Sequence, residues 1–254
     1  MPKHLPTTPL APERRPPVTG RAEWQAKLDE LLVREKAHTK EGDAIAALRR
    51  RLPMTPVPPD ATVVGAAGEV PFVEAFEGRR MLAGYFHMWH DGKPWEGQCE
   101  GCTVISSHLQ TPQAYLHQRD VTLAIFCEGA YEESAPYAEF LGYRTPWWSA
   151  RDSSVVAERP FGFYAFFLRD DDDNVFETCW TTGRGTELAL WSYAVLDHTV
   201  YGRQEAWQDS PPGWPTIGAG DGSASDVDGR QWRVAGRPTV QWQVTDAPAG
   251  PHGR

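Results

Sequence analysis

The chain has 254 residues, of which 41% are hydrophobic and 23% are charged, and its formal net charge at pH 7 is -9. This length suffices for one full hydrophobic core with extensions or for two small domains. The acidic balance argues against nucleic-acid binding, which needs a basic face for the phosphate backbone. The chain has no apolar run long enough for a membrane span and no apolar leader at its N-terminus, so we expect a cytoplasmic protein without membrane contact.

The N-terminal part of the chain predicts two segments outside the core. Residues 1–20 are proline-rich and carry few large apolar side chains, which predicts a flexible arm. Residues 21–56 have apolar residues at a helical period and predict an N-terminal helical extension. Gly42 is expected to divide this extension into two helices, with Asp43 capping the second. The sequence PMTPVPP then predicts an extended connector.

Residues 57–204 alternate between strand and helix patterns. Residues 63–76 predict short strands or a hairpin, MLAGYFHMW predicts a buried strand, residues 103–116 predict a helix, and VTLAIFC predicts a central strand, which together include a β-α-β unit. A helix over 131–142 follows, then two antiparallel strands around the turn DDDDN, and a final helix after Gly185. This order is that of a thioredoxin-like α/β fold, with a central mixed sheet flanked by helices.

The C-terminal part, residues 205–254, is rich in Pro, Gly and Trp. It predicts an irregular extension that packs on the core or is partly disordered, with a hairpin at WRVAGRPTVQWQV. The sequence is compatible with a homo-oligomer.

The strongest motif is a pair of cysteines, Cys99 and Cys102, between a predicted strand and a predicted helix. The unpaired amides and the dipole of a helix N-terminus stabilise a thiolate, so we expect Cys99 to have a lowered pKa and to attack. Cys102, one turn inside the helix, would resolve the mixed disulfide. Glu100 opposes a second negative charge nearby, so only moderate activation is expected. With four cysteines in the chain, a close pair is typical of redox or metal chemistry in a reducing compartment.

Metal binding is the alternative use of these sulfur atoms. His87 and His90 precede Cys99 and Cys102 in the pattern H-x2-H-x8-C-x2-C, whose ligand types suit tetrahedral zinc or a copper site. A histidine on a strand is more often a packing residue. In this alternative the protein holds copper or zinc, whereas dithiol cycling requires no cofactor.

Other residues suggest weaker hypotheses. Cys127 and Cys179 lie in apolar strand patterns and are expected to be structural. Arg184, ahead of the final helix, is a candidate for contact with an anionic ligand. A third interpretation is a binding module whose tryptophan-rich rim holds an apolar ligand, with the rim formed by Trp89, Trp95, Trp147 and Trp148.

Six segments carry a resemblance to a known family: HMWHDGKPWEGQCEGCT, HQRDVTLAIFCEGAYEES, LGYRTPWWS, FGFYAFFLRD, VFETCWTTGRGTE and LDHTVYGRQE. They resemble the bacterial thioredoxin-like family called domain of unknown function 899, over about residues 24–214. The resemblance implies a thioredoxin-like fold and dithiol–disulfide oxidoreductase activity, with Cys99 and Cys102 at the motif position. The partners would then be a disulfide or oxidised-thiol substrate and a cellular reductant.

The sequence also departs from the thioredoxin pattern. Gln98 stands where thioredoxins have a tryptophan, and Glu100 and Gly101 replace Gly-Pro between the cysteines. Thioredoxins also carry a cis-proline that faces the cysteines, and Pro160 is the positional candidate for it.

Overall fold

The computed structural model of the protein describes residues 15–205 and 207–214. These residues divide into two compact units, residues 15–53 with 210–214, and residues 54–209. The rest of the predicted arm and the C-terminal extension from residue 215 onward, including its predicted hairpin, lie outside the described residues.

In the first unit, helix α1, Arg21–Arg49, is continuous and has no buried side chain. The predicted break at Gly42 and the cap at Asp43 are therefore wrong. A glycine inside a helix costs only about 1 kcal/mol relative to alanine, and the surrounding Ala, Glu, Lys, Arg and Leu residues are good helix formers. Nothing outside the helix crowds Gly42, so this single unfavourable residue does not end the helix.

The second unit is built on a mixed sheet of eight strands in the described chain. The strands are β1 Thr55–Pro56, β2 Thr62–Gly65, β3 Gly68–Pro71, β4 Met81–His87, β5 Val121–Cys127, β6 Trp147–Ser149, β7 Phe163–Arg169 and β8 Val175–Thr182. Their order across the sheet is β1-β8-β7-β4-β5-β6-β2-β3. Strands β4, β5 and β6 are parallel, and all the other neighbouring pairs are antiparallel.

The helices of this unit follow most of the sequence predictions. They are α2 Glu100–His108, α3 Gln113–His117, α4 Tyr131–Phe140 and α5 Trp191–Asp197. The predicted β-α-β unit of β4, α2 and β5 is confirmed, as are the β2–β3 hairpin and the antiparallel β7–β8 pair. The helix predicted over 103–116 is interrupted between α2 and α3, because Pro112 lacks an amide hydrogen and disfavours a helical conformation in the residue before it.

Two further differences concern short elements. The predicted final helix is a 3₁₀ segment, Gly183–Ala189, followed by α5, so it is correct only in part. Strands β1 and β6 have two and three residues. Two or three residues are too few to show a periodic pattern in the sequence. Such strands are identified only by their pairing with a neighbouring strand.

The alternation of side chains along β4 separates the core into two layers. Leu82 and Phe86 face a phenylalanine-rich cluster, whereas Ala83 and Tyr85 face the layer that contains Cys102. This second layer lies under α2, so β4 connects the buried part of the sheet to the cysteine pair.

None of the helices in the described residues is long and apolar enough to cross a membrane.

Candidate functional site

Cys99 is the residue that precedes α2. It has an extended backbone, and its Sγ accepts a hydrogen bond from the backbone N–H of Cys102 at 3.5 Å. The first amides of a helix have no partner within the helix, so their partial positive charge surrounds this sulfur. Cys99 is partly exposed and Cys102 is buried, and no disulfide joins the two sulfurs.

Cys102 packs beneath Cys99 and against β4. Its Sγ accepts a hydrogen bond from the Met88 N–H at 3.4 Å, and the Tyr85 hydroxyl also hydrogen-bonds to it. The hydrogen bond between the Cys102 and Cys99 side chains raises the pKa of Cys102 well above its usual value, as do burial and the charge of Cys99. The hydrogen bonds from Tyr85 and Met88 lower this pKa, but by less. Cys102 is therefore the thiol that keeps its proton at neutral pH.

Gln98 closes the loop that leads from β4 to Cys99. Its side chain is buried, and Oε1 accepts a hydrogen bond from the His90 N–H at 2.9 Å. Its Nε2 donates to the carbonyl oxygens of His90, at 3.0 Å, and Lys93, at 3.1 Å. Gln98 thus fixes the backbone just before the first cysteine.

Helix α2 is also held from its other side. The hydroxyl groups of Thr103 and Tyr137 are 2.7 Å apart, and the Tyr143 hydroxyl donates to the Thr103 carbonyl at 2.9 Å. Tyr137 lies on α4, so these bonds connect the helix that carries Cys102 to the next helix of the unit.

The histidines of the predicted metal site are not assembled with the cysteines. His87 is fully buried among aromatic rings, including Trp147 at 5.2 Å, and burial lowers its pKa to about 4, whereas His90 is exposed. Within the ranges described, no three His, Cys, Asp or Glu side chains form a group able to hold a metal ion. Strand β4 carries the His87 side chain into the core, so this structure does not bring His87 and His90 together with Cys99 and Cys102, and the metal centre stays a prediction.

The predicted cis-proline is also wrong. The described chain has no cis peptide bond, and the residue before β7 that lines the cleft beside the cysteines is Gly162, not Pro160. Gly162 has a φ of +98, and a Cβ there would lie 3.2 Å from the Met88 side chain. Only glycine fits this position without strain.

A cleft of about 550 Å³ adjoins Cys99. Besides both cysteines and Gly162, its lining includes Met88, Ile105, Leu190, Tyr193 and Trp207. Arg184 also lines it, together with Glu187 and Glu205. Sequence reasoning singled out Arg184 but missed Tyr193, which lies on α5, and Trp207, which follows the last helix in a segment without a regular hydrophobic period.

The predicted tryptophan rim is wrong, because its members contribute to the core. Trp89, Trp95 and Trp147 pack in a cluster with Tyr137, and Trp148 packs against the phenylalanine-rich cluster on the opposite face of the sheet.

The other two cysteines do not line the cleft beside Cys99. Cys127 is completely buried, and burial raises its pKa to about 12, which keeps it an unreactive thiol. Cys179 is partly buried on β8.

Comparisons with known proteins connect the chain to one family. A family model described as bacterial protein of unknown function (DUF899) matches residues 13–219. No curated protein matches the chain.

Solved structures resemble parts of the chain at low identity. A hypothetical protein from Sinorhizobium meliloti is 17% identical, with a TM-score of 0.35, over 48% of this chain and 67% of that protein. A putative thiol:disulfide interchange protein DsbE from Chlorobium tepidum is 13% identical, with a TM-score of 0.37, over 56% of this chain and 94% of that protein. PrxQ from Xylella fastidiosa is 9% identical, with a TM-score of 0.37, over 57% of this chain and 96% of that protein.

Proposed function

The chain belongs to the DUF899 family of bacterial proteins, and we propose that it is a thiol–disulfide oxidoreductase in which Cys99 attacks and Cys102 resolves. The observation that carries this proposal is the pairing of a partly exposed sulfur at a helix N-terminus with a buried thiol one turn inside, joined by the 3.5 Å hydrogen bond from the Cys102 N–H to the Cys99 Sγ. Reactive cysteines are typical of such partly exposed, electropositive positions.

The arrangement of the central strands supports a thioredoxin-like core. Strand β4 is central, β5 is parallel to it across α2, and β7 and β8 continue the sheet on its other side as an antiparallel pair. Strand β6 and the outer strands enlarge this core. The cysteine pair then lies beyond the C-terminal end of a central parallel strand, where open α/β sheets bind ligands.

In the first step, the Cys99 thiolate attacks one sulfur of a substrate disulfide. A bond forms between this sulfur and the Cys99 Sγ, the substrate S–S bond breaks, and the leaving sulfur takes the electron pair and a proton. The α2 amides and the cleft position the attacking sulfur, and Gln98 keeps the preceding loop in place.

In the second step, Cys102 loses its proton and attacks the Cys99 Sγ. The substrate's second thiolate leaves and is protonated, and an internal Cys99–Cys102 disulfide remains. The substrate has gained two electrons and two protons. A cellular dithiol reductant must then reduce the internal disulfide by the same exchange in reverse.

Thiol counting on the purified full chain tests this proposal. Treating reduced protein with a small disulfide should remove two alkylatable thiols, and dithiothreitol should restore them. Cys99→Ser should react with none of the disulfide, and Cys102→Ser should stop at a stable mixed disulfide on Cys99. Cys179→Ser, which removes a thiol outside the site, should cycle normally. If wild type loses no thiols, or if Cys99→Ser still cycles, the proposal is wrong.

A further inference from the structure

The cleft beside Cys99 has walls that are mainly apolar. Met88 and Ile105 contribute from the β4 and α2 side, and Leu190, Tyr193 and Trp207 contribute from the segment after β8. Trp207 is 42% exposed, and this large apolar surface lines the same cleft as the attacking cysteine. A volume of about 550 Å³ is in the range of clefts that hold small organic groups.

Arg184 and Glu187, two of the charged residues that line the cleft, are already paired with each other. Arg184 donates to both carboxylate oxygens of Glu187, at 3.0 and 3.3 Å. Arg203 lies 3.0 Å from Glu187 and 2.6 Å from Asp197. Arg184 is the one cationic side chain in the described lining, so an anionic ligand would have to compete with Glu187 for it.

The two aromatic rings of the wall are held in place by these same arginines. The Arg184 guanidinium lies 4.4 Å from the centre of the Trp207 ring, and the Arg203 guanidinium lies 4.4 Å from the centre of the Tyr193 ring. The Arg203 side chain is only 8% exposed. The Trp207 indole N–H also donates to Glu205 at 2.6 Å. Rings fixed in this way lose little conformational entropy when a ligand packs on them.

We propose that the cleft selects disulfides that carry an uncharged apolar group, aromatic above all, next to the sulfur that Cys99 attacks. This inference rests on the proposed function and adds a substrate class to it. The group can be an apolar side chain beside a cysteine in a polypeptide or the body of a small organic disulfide. In either case the Cys99 thiolate attacks the sulfur next to this group, and the other sulfur leaves with the electron pair.

Mixed disulfides with a constant leaving group test the preference. Short peptides with one cysteine linked to 2-thiopyridine, followed by Phe, Ser or Glu, all release 2-thiopyridone when Cys99 attacks. A second arm uses benzyl mercaptan and 3-mercaptopropionate linked in the same way. With reduced protein we expect release to be faster for the apolar member of each arm by about tenfold, the scale on which an apolar pocket discriminates.

Variants of the cleft wall test whether its residues cause the preference. Trp207→Ala should bring the ratio of apolar to polar release rates towards one, and Trp207→Phe, which keeps an apolar ring, should retain most of the preference. Trp191→Ala is the matched control, because Trp191 is 65% exposed and does not line the cleft. Circular dichroism checks that each variant is folded.

The outcomes separate this inference from the proposed function. A preference in only one arm supports the inference and assigns the source of the group, polypeptide or small molecule. The inference would be overturned if the apolar and polar probes reacted at equal rates within each arm, or if the Glu peptide reacted faster. It would also be overturned if the ratio of apolar to polar rates were unchanged in Trp207→Ala. If wild type releases no thiopyridone from any probe, or if Cys99→Ser still releases it, the proposed function itself fails.

Discussion

The buried hydroxyl of Tyr85 donates a hydrogen bond to the Sγ of Cys102. Burial raises the pKa of Tyr85 well above its usual value, so this hydroxyl remains protonated and able to donate. The bond stabilises the Cys102 thiolate, which burial otherwise opposes. We predict that Tyr85→Phe slows the resolving step about tenfold, the effect of losing one hydrogen bond to a charged group, and leaves attack by Cys99 unchanged.

Tyr164→Phe is the control for this prediction. The Tyr164 ring centre lies 4.7 Å from that of Tyr85, and its buried hydroxyl has no hydrogen-bond partner among the described residues. Acid quenching and mass spectrometry should show a Cys99 adduct that accumulates in Tyr85→Phe but not in Tyr164→Phe. Resolution in Tyr85→Phe should also require a higher pH. Equal adduct lifetimes in the two variants would refute a role for the Tyr85 hydroxyl.

Gln98 leads to a prediction about the loop before Cys99. Gln98→Ala removes three hydrogen bonds to the backbone of His90 and Lys93 and should lower the free energy of unfolding by about 2 kcal/mol. It should also slow alkylation of Cys99, because the sulfur is no longer held against the α2 amides. Urea denaturation and iodoacetamide labelling measure the two effects.

Gln110→Ala provides the comparison for Gln98→Ala. Gln110 Oε1 accepts hydrogen bonds from the backbone N–H groups of Arg144 and Thr145, and its Nε2 donates to the Ser106 carbonyl, about two turns along α2 from Cys99. This variant should be destabilised to a similar degree while Cys99 is alkylated at the wild-type rate. If both variants label equally slowly, the effect of Gln98 is only global.

The sequence contained enough information for the β-α-β unit and the cysteine pair, because β4 and β5 are long apolar runs and the motif lies between them. The partners of the pair could not be predicted in this way. Tyr85 lies in an apolar run where every residue suits a core, and only the register of β4 against β7 places it beside Tyr164. Trp207 and Arg203 follow the last helix, and their positions depend on ion pairs and ring contacts between residues without any periodic pattern.

His87 predicts a loss of stability in mild acid. Its pKa is lowered from 6.5 to about 4 by burial, so the folded protein keeps this ring neutral where the unfolded chain protonates it. The contribution of the neutral His87 ring to the free energy of unfolding is fully present above pH 6.5. It is lost as the pH falls towards 4, and the total loss is about 3 kcal/mol. His87→Phe should flatten this dependence in urea denaturation, whereas His90→Gln, at an exposed position, should retain it. A parallel decrease in wild type and His87→Phe would show that other groups cause it.

The ion pair of Arg159 with Glu177 is predicted to stabilise the β7–β8 side of the sheet. Two hydrogen bonds join the guanidinium to the carboxylate at 2.8 and 2.7 Å, and both side chains are nearly buried, at 12% and 13% exposure. Because removal of one partner leaves a charge in a poorly solvated place, Glu177→Ala should lower the free energy of unfolding by about 3 kcal/mol. The exposed pair Arg80–Asp171 is the control, and Asp171→Ala should change stability by close to zero. Urea denaturation of the two variants measures the difference, and similar losses would mean that burial does not set the strength of the Arg159 pair.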